Sequence, residues 1–257
     1  MAKFSTYKGQ ILNFFLQKYK GIDMPEEKNA IVVKNVYYPD PDGLRELTIK
    51  EHYQKYKEQI LKEVGNHPVV FAIATDVNQF VIRRLYKNRE VILNYTNYDF
   101  FMHGRVISIF VELGYISNLW LVDIDPGKLV SEEETKDALE KIIEVFRTLW
   151  QKGYSKDKEP RVISTSRGYH VLANMKKRGS SENNIHELLP FLKSLEDKYI
   201  VNKMRNSERD IVIDLSVMKK RGSHVVPFAL NRNGLMAMDI TTKWKNFKRE
   251  DAIVNVK

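Results

Sequence analysis

The run Leu121-Val122-Asp123-Ile124-Asp125-Pro126-Gly127 alternates two carboxylates with apolar residues and stops on Pro-Gly. In an extended strand successive side chains point to opposite faces. Asp123 and Asp125 would therefore share one face while Val122 and Ile124 bury on the other. Two carboxylates that close repel unless a cation lies between them. Hard divalent ions such as Mg2+ and Mn2+ take oxygen ligands and are often completed by substrate phosphates. The spacing suits a metal site for nucleotides, and equally a strand end with two solvated acids.

A second cluster is Ser164-Thr165-Ser166-Arg167-Gly168-Tyr169-His170. Gly168 permits a tight turn or a close backbone approach to a ligand. Ser164 and His170 are suited to phosphate oxygens, and Arg167 adds charge or structural pairing. The alternative is a hairpin turn with an edge histidine. A third cluster is Ile211-Val212-Ile213-Asp214, followed by Lys219-Lys220-Arg221-Gly222. A third carboxylate beside the first two suits two-metal phosphoryl transfer, and the cations suit a triphosphate or a nucleic-acid backbone. A strand end with a solvated basic turn fits the same residues.

The elements that must position these groups follow from periodicity. The acidic strand covers 119–125. Ser131 and Glu134 have capping-box spacing, and Leu139, Ile142, Val145, Phe146 and Leu149 then recur at helical intervals. Strands are predicted at 161–164, 170–173, 210–215 and 224–230, with a helix over 184–199 kinked at Pro190. Upstream, the pattern predicts a helix over 5–20, a short strand at Ile31-Val32-Val33 and a turn cluster at 39–43. A helix capped by Thr48 and Glu51, strands at 68–74 and 89–95, and a helix over 99–113 follow. Strand, helix, strand, strand, helix, strand, strand over 119–240 is an α+β order, not a regular doubly wound one. Neither G-x-x-x-x-G-K-[ST] nor G-x-G-x-x-G occurs.

The chain has 257 residues, 43% of them apolar, enough for one large domain or two lobes sharing a core. Its net charge of +9 favours a polyanionic partner, nucleic acid before an anionic membrane. A charged, heat-adapted surface is the bland alternative, since 29% of residues are charged. With no cysteine, disulfides and thiolate metal sites are excluded. No apolar run approaches the roughly 18 residues of a spanning helix, and the first residues lack a signal-peptide pattern. The expectation is a cytoplasmic protein with no membrane partner.

Acid pair, Ser…Gly-x-His, then a lone acid is an order that resembles the archaeo-eukaryotic primase (AEP) superfamily. The resemblance is closer to the ligase-associated polymerase domain of prokaryotic non-homologous end joining. Asp123 to Gly127 is similar to that branch's D-[LI]-D-P-G, and Ser164 to His170 to its S-G-G-R-G-L-H. Arg209 to Asp214 resembles the run before its third Asp. Arg221-Gly222 through Pro227-Phe228-Ala229-Leu230 resembles its R-G…P-[YF]-S-L. Tyr37-Tyr38-Pro39, Leu47-Thr48 and Tyr53 echo a weaker upstream pattern, so the likeness covers roughly 32–240.

The resemblance implies a primase-like catalytic core, an RRM-like mixed sheet with flanking helices, joined to an N-terminal α/β module. The implied bounds are a helical extension at 1–30, the N-terminal module at 31–115, the catalytic module at 116–240 and a basic tail at 241–257. It implies that Asp123, Asp125 and Asp214 hold Mn2+ or Mg2+. Ser164, Ser166, Arg167, Gly168 and His170 would seat the incoming NTP or dNTP, helped by Lys220, Arg221 and Arg232. The chain departs from the family where Thr165 replaces Gly, and where Asn231 stands at the place of an Arg, with Arg232 next. Lys34, Arg83, Arg84, Lys176, Lys177 and Arg178 are candidate nucleic-acid contacts.

The expected activity is template-dependent addition of nucleotides to a 3′-hydroxyl, in gap filling at DNA breaks. A DNA ligase and an end-binding protein are the implied partners. Primer synthesis beside a helicase is the alternative. A nucleotide-sugar glycosyltransferase, which also uses Asp-x-Asp, and a non-catalytic nucleic-acid-binding module are more remote.

Overall fold

Alternating and β-branched runs pair into two sheets, and the amphipathic segments cover them. The computed structural model describes residues 31–34, 46–76, 79–83, 85–86, 89–102, 106–114, 116–219, 222–231 and 235–254. In chain order they form β1 (Ile31–Lys34), α1 (Glu46–Lys55), α2 (Lys57–Val64), β2 (Pro68–Asp76), β3 (Gln79–Arg83), β4 (Leu85–Tyr86), β5 (Arg89–Ile92) and α3 (Tyr98–Phe101). Then come β6 (Val106–Glu112), β7 (Ile116–Pro126), α4 (Glu132–Gln151), β8 (Arg161–Ser164), β9 (Tyr169–Ser180), α5 (Ser181–Leu192), β10 (Ile200–Val201), β11 (Ile211–Asp214) and β12 (Ser223–Val225). The architecture is the expected α+β.

The first sheet runs β1-β3-β2-β5-β4, with β6 on β2 and β12 on β6. The second runs β10-β11-β7-β9-β8, antiparallel except for β10 beside β11. The 116–240 segment is not confined to one sheet, because β12 returns to the first by pairing Ser223 with Glu112 and Val225 with Phe110. The two sheets meet where the Val225 N–H donates to His170 Nδ1 at 3.3 Å.

The helix α4 begins as its sequence predicts. Ser131 Oγ accepts the Glu134 N–H at 3.1 Å, and Glu134 Oε2 accepts the Ser131 N–H at 2.8 Å. Its buried stripe of Ala138, Leu139, Ile142, Ile143, Phe146 and Leu149 packs on β7 and β9. The covered face carries Val122, Ile124 and Tyr169, the last lying within electrostatic reach of Glu132 in the first turn of α4. By alternation the Asp123 face is the opposite one.

Several sequence expectations shift. The predicted 99–113 helix is instead the four-residue α3 followed by β6. Val106, Ile109 and Leu113 have helical spacing, but Val106, Ile107, Ile109 and Val111 are β-branched and β2 offers an unpaired edge, so pairing wins. α1 starts at Glu46, ahead of Thr48, so Thr48 lies within the helix and does not cap it. The 184–199 helix spans Ser181–Leu192, ending two residues after Pro190 and continuing as a 3-10 turn. The 89–95 strand stops at Ile92, and the 224–230 strand shortens to β12. The predicted 5–20 helix and 39–43 turn lie outside the described residues. Among the described residues no helix is long and apolar enough to cross a membrane.

Candidate functional site

Antiparallel register brings the three acids together. Asp214 on β11 stands opposite Asp123 on β7, and Asp123 stands opposite His170 on β9. Directly opposed residues project to the same face, so Asp214, Asp123 and His170 form one row across three strands. Asp125 lies two residues further along β7, about 7 Å away on the same face. The far side of these strands is apolar: Ile213, Ile124 and Tyr169 lie in register and fully buried.

Each carboxylate already has a partner. Asp123 Oδ1 lies 3.5 Å from His170 Nε2. Arg205 Nη2 donates to Asp125 Oδ2 at 2.9 Å and to the Asp125 carbonyl at 2.7 Å, while Nη1 lies 3.9 Å from Glu208. Asp214 accepts from the Ser216 N–H and hydroxyl, both at 2.7 Å, which caps the short turn after β11. As the side chains stand, no three acidic or imidazole groups among the described residues are grouped to hold one ion. The donor set is nonetheless that of a hard cation: three carboxylates on one face of two neighbouring strands. Asp123 feels the charge deficit most. Burial first, then the charges of Asp125 and Asp214, push its carboxyl up to about 8.

His170 does not relieve that deficit. Burial, reinforced by His224, holds its imidazole down to about 3, so it is neutral at physiological pH. Its Nδ1 accepts from Val225, which leaves the ring proton on Nε2, directed at Asp123. His224 is likewise buried and neutral, held down to about 4, and its Nδ1 lies 3.0 Å from the Val225 carbonyl.

The loop between β8 and β9 closes on itself. The Thr165 N–H donates to the Gly168 carbonyl at 3.0 Å, and the Gly168 N–H to Thr165 Oγ1 at 3.1 Å. Gly168 presses on β7, where an added Cβ would lie 1.6 Å from the Ile124 carbonyl oxygen. Ser164 does not join the acidic row. It pairs with Tyr169 on the opposite face, is 0% exposed, and its Oγ accepts the Met238 N–H at 3.0 Å. Ser166 and Arg167 are half-buried in the loop.

Lys176, Lys177 and Arg178 lie exposed further along β9. Lys34 and Arg83 end β1 and β3, their side chains outside the described set. Arg84, Lys220, Arg221 and Arg232 lie outside the described residues. Asn231 is buried, with its backbone N–H on the Leu235 carbonyl.

Two arginines carry roles that motif reasoning misses. One is Arg205, which precedes β11 in an irregular segment and reaches Asp125. The other is Arg249 in the tail, where Phe247 is buried. Its guanidinium donates to the carbonyls of Thr165 at 2.9 Å and Gly168 at 3.1 Å, and also to that of Arg167. It lies 4.7 Å above the Tyr169 ring. The only hint in the sequence is a cation-rich, aromatic tail, which does not say which cation turns inward.

Arg249→Met would remove the guanidinium donor from three part-buried carbonyls, of which that of Gly168 keeps the Thr165 N–H. The expected cost is about 2–3 kcal/mol, read as a fall in Tm of about 5–10 °C. Lysine, without a planar fork, is expected to recover less than half of it. A melting temperature unchanged by Arg249→Met would show that the loop holds its own shape.

No family model matches the chain, and no curated protein matches it in sequence. Among solved structures it is similar to the polymerase domain of Mycobacterium tuberculosis ligase D in complex with DNA. The TM-score is 0.59 at 12% identity, over 88% of this chain and 90% of that one. The chain therefore shares the fold of that domain, with most of both chains included.

Proposed function

We propose that this protein is a template-dependent nucleotidyltransferase that extends a nucleic-acid 3′-hydroxyl with nucleoside triphosphates, acting in gap filling at DNA breaks. The observation that carries the reading is the row Asp214–Asp123–His170, with Asp125 beside it, on the fold of a DNA-bound polymerase domain.

In this reading Asp123, Asp125 and Asp214 would hold divalent Mn2+ or Mg2+. When bound, such ions neutralise triphosphate charge and lower the pKa of the attacking hydroxyl. The chain supplies the remaining work. Asp125 would meet such an ion only with its carboxylate freed from Arg205, whose guanidinium would then be available to a phosphate. Asp214 would be held in place for it by its two bonds from Ser216. His170, kept neutral, offers Nε2–H to a phosphate oxygen without the cost of burying a cation. Arg249 fixes the 165–168 loop against which the triphosphate lies, and Ser164 anchors that loop from behind. The hydroxyl oxygen then bonds to the α-phosphorus as the bond to pyrophosphate breaks. The nick left after filling is the substrate of a ligase.

The direct test offers labelled NTPs or dNTPs with Mn2+ to a gapped duplex bearing a 5′-phosphate and, separately, to an unprimed single strand. Extension of the gapped duplex is expected. Products on the unprimed strand alone would move the assignment to primer synthesis, and none on either substrate would overturn it.

A further inference from the structure

At the C-terminal end of α4 the surface changes character. Trp150 and Tyr154 are large aromatics left 39% and 48% exposed. Phe191 on α5 joins them, its ring centroid 5.7 Å from that of Tyr154 in an edge-on arrangement. Lysines stand over these rings. Lys158 Nζ is 5.7 Å from the Trp150 centroid, and Lys152 Nζ is 5.2 Å from that of Phe191. Lys156 and Lys176 are exposed on the backbone segments beside them.

The backbone ties this cluster to the catalytic sheet. The Lys176 N–H donates to the Tyr154 carbonyl at 2.9 Å and the Lys156 N–H to the Asn174 carbonyl at 2.7 Å. A bridge pairs Ser155 with Met175, so the loop extends the sheet edge beyond β8. The loop's acids are occupied: Asp157 accepts from Asn174, and Glu159 is gripped by Arg147 through Nε and Nη2. Glu187, one turn before Phe191 on α5, is an exposed acid beside the cluster. Four lysines, Lys152, Lys156, Lys158 and Lys176, thus lie about the two exposed aromatics, and of the loop's two acids Glu159 is paired with Arg147.

We propose that this edge is a docking surface for single-stranded nucleic acid. Trp150 and Tyr154 stack on unpaired bases, and Lys152, Lys156, Lys158 and Lys176 take the phosphates. Aromatic faces interleaved with cations are what sequence-tolerant single-strand binding needs, because every base has a π-face. A duplex keeps its bases stacked on one another and cannot use the rings. The lysines now over Trp150 and Phe191 are poised to swing from ring to phosphate as a base arrives. The backbone of this edge lies six residues along β9 from His170, about 20 Å. Trp150 belongs to α4, which covers the sheet face opposite the carboxylates, so a strand leaving them would round the sheet edge to reach it. The inference rests on the nucleotidyl-transfer reading for its choice of polyanion and extends it to strand handling.

The test uses the full chain, fluorescein-labelled dT6 and dT20, and anisotropy titrations over a range of salt. Trp150→Ala/Tyr154→Ala is expected to weaken dT20 binding at least about tenfold, since two bases lose the rings they stack on. Lys152→Glu/Lys158→Glu is expected to flatten the slope of log affinity against log salt by at least about 1.4. Both variants are expected to extend a short gapped duplex as the parent does, and Trp150→Ala/Tyr154→Ala to weaken dT6 as well as dT20, since a short strand can dock on the rings directly. Equal dT20 affinity in parent and variants would overturn the proposal. So would variants that lose anionic-vesicle binding while keeping dT20. The catalytic reading fails differently: the parent would extend nothing while dT20 binding still depended on Trp150 and Tyr154.

Discussion

Asp123→Asn is expected to lower nucleotide incorporation by at least about 1,000-fold while making the metal-free protein more stable at pH 8. The two effects share one cause. Asp123 lies between Asp214 and His170 in the row, with its side chain 25% exposed. Its carboxyl is pushed up to about 8 by burial and by two neighbouring acids. The unfolded chain releases that proton near pH 4. The folded chain therefore holds a proton that the unfolded one lacks between about pH 4 and 8. The associated stability is complete below about 4 and is lost as pH rises through about 8. Asparagine removes the penalty, so with EDTA present the variant's Tm at pH 8 should exceed the parent's by at least about 3 °C. The gap should shrink towards pH 5.

A divalent cation reverses the penalty, because binding displaces the proton. Apparent Mn2+ affinity of the parent is expected to rise by up to about tenfold per pH unit until pH 8 and then level off. Asp123→Asn should show neither the rise nor the metal-dependent gain in Tm. Asp125→Ala should also lose incorporation, yet it removes the nearest acidic partner of Arg205 and leaves only Glu208 at 3.9 Å, so no gain in metal-free stability accompanies it. Oligonucleotide binding should survive in both. An Asp123→Asn protein that extends primers like the parent would remove the metal assignment. A parent whose melting ignores Mn2+ would do the same.

The acid pair was legible because strand alternation is local: Asp123-Ile124-Asp125 dictates a shared face wherever the strand goes. That β11 pairs with β7 so that Asp214 meets Asp123 is a long-range register that no local pattern encodes; only the order of motifs hinted at it. Ser164 shows the opposite limit. It stands six residues from His170, an even spacing that in one continuous strand would place both on one face. The tight 165–168 turn changes the register, pairing Ser164 with Tyr169, and the serine turns inward to Met238. Arg205 and Arg249 escaped because their partners are backbone carbonyls and a carboxylate lying 80 or more positions away. A lone arginine in a basic chain carries no spacing signal. The 99–113 error was a contest of periods, settled by the open edge of β2.

Gly168→Ala is expected to cost about 3 kcal/mol or more of stability and to lower incorporation at least about a hundredfold. The reason is space, since no left-handed backbone angle is recorded at this glycine. A methyl there would sit 1.6 Å from the Ile124 carbonyl oxygen, 2.8 Å from its carbon and 3.0 Å from Pro126 Cδ. Ile124 is the residue between Asp123 and Asp125, and the obstacle is backbone, so no rotamer change relieves it. The hairpin must lift off β7 or β7 must move, and either shift displaces His170 and the two acids relative to each other. Gly65→Ala separates this from ordinary glycine strain. Gly65 has φ 51° but open space for a Cβ, and it ends α2 far in sequence from the site. Its strain should cost about 1–3 kcal/mol and leave incorporation intact. Thermal unfolding and primer extension on the two variants check the contrast. Equal behaviour would mean that the close seating of the 165–168 turn on β7 does not set the spacing of the acidic row.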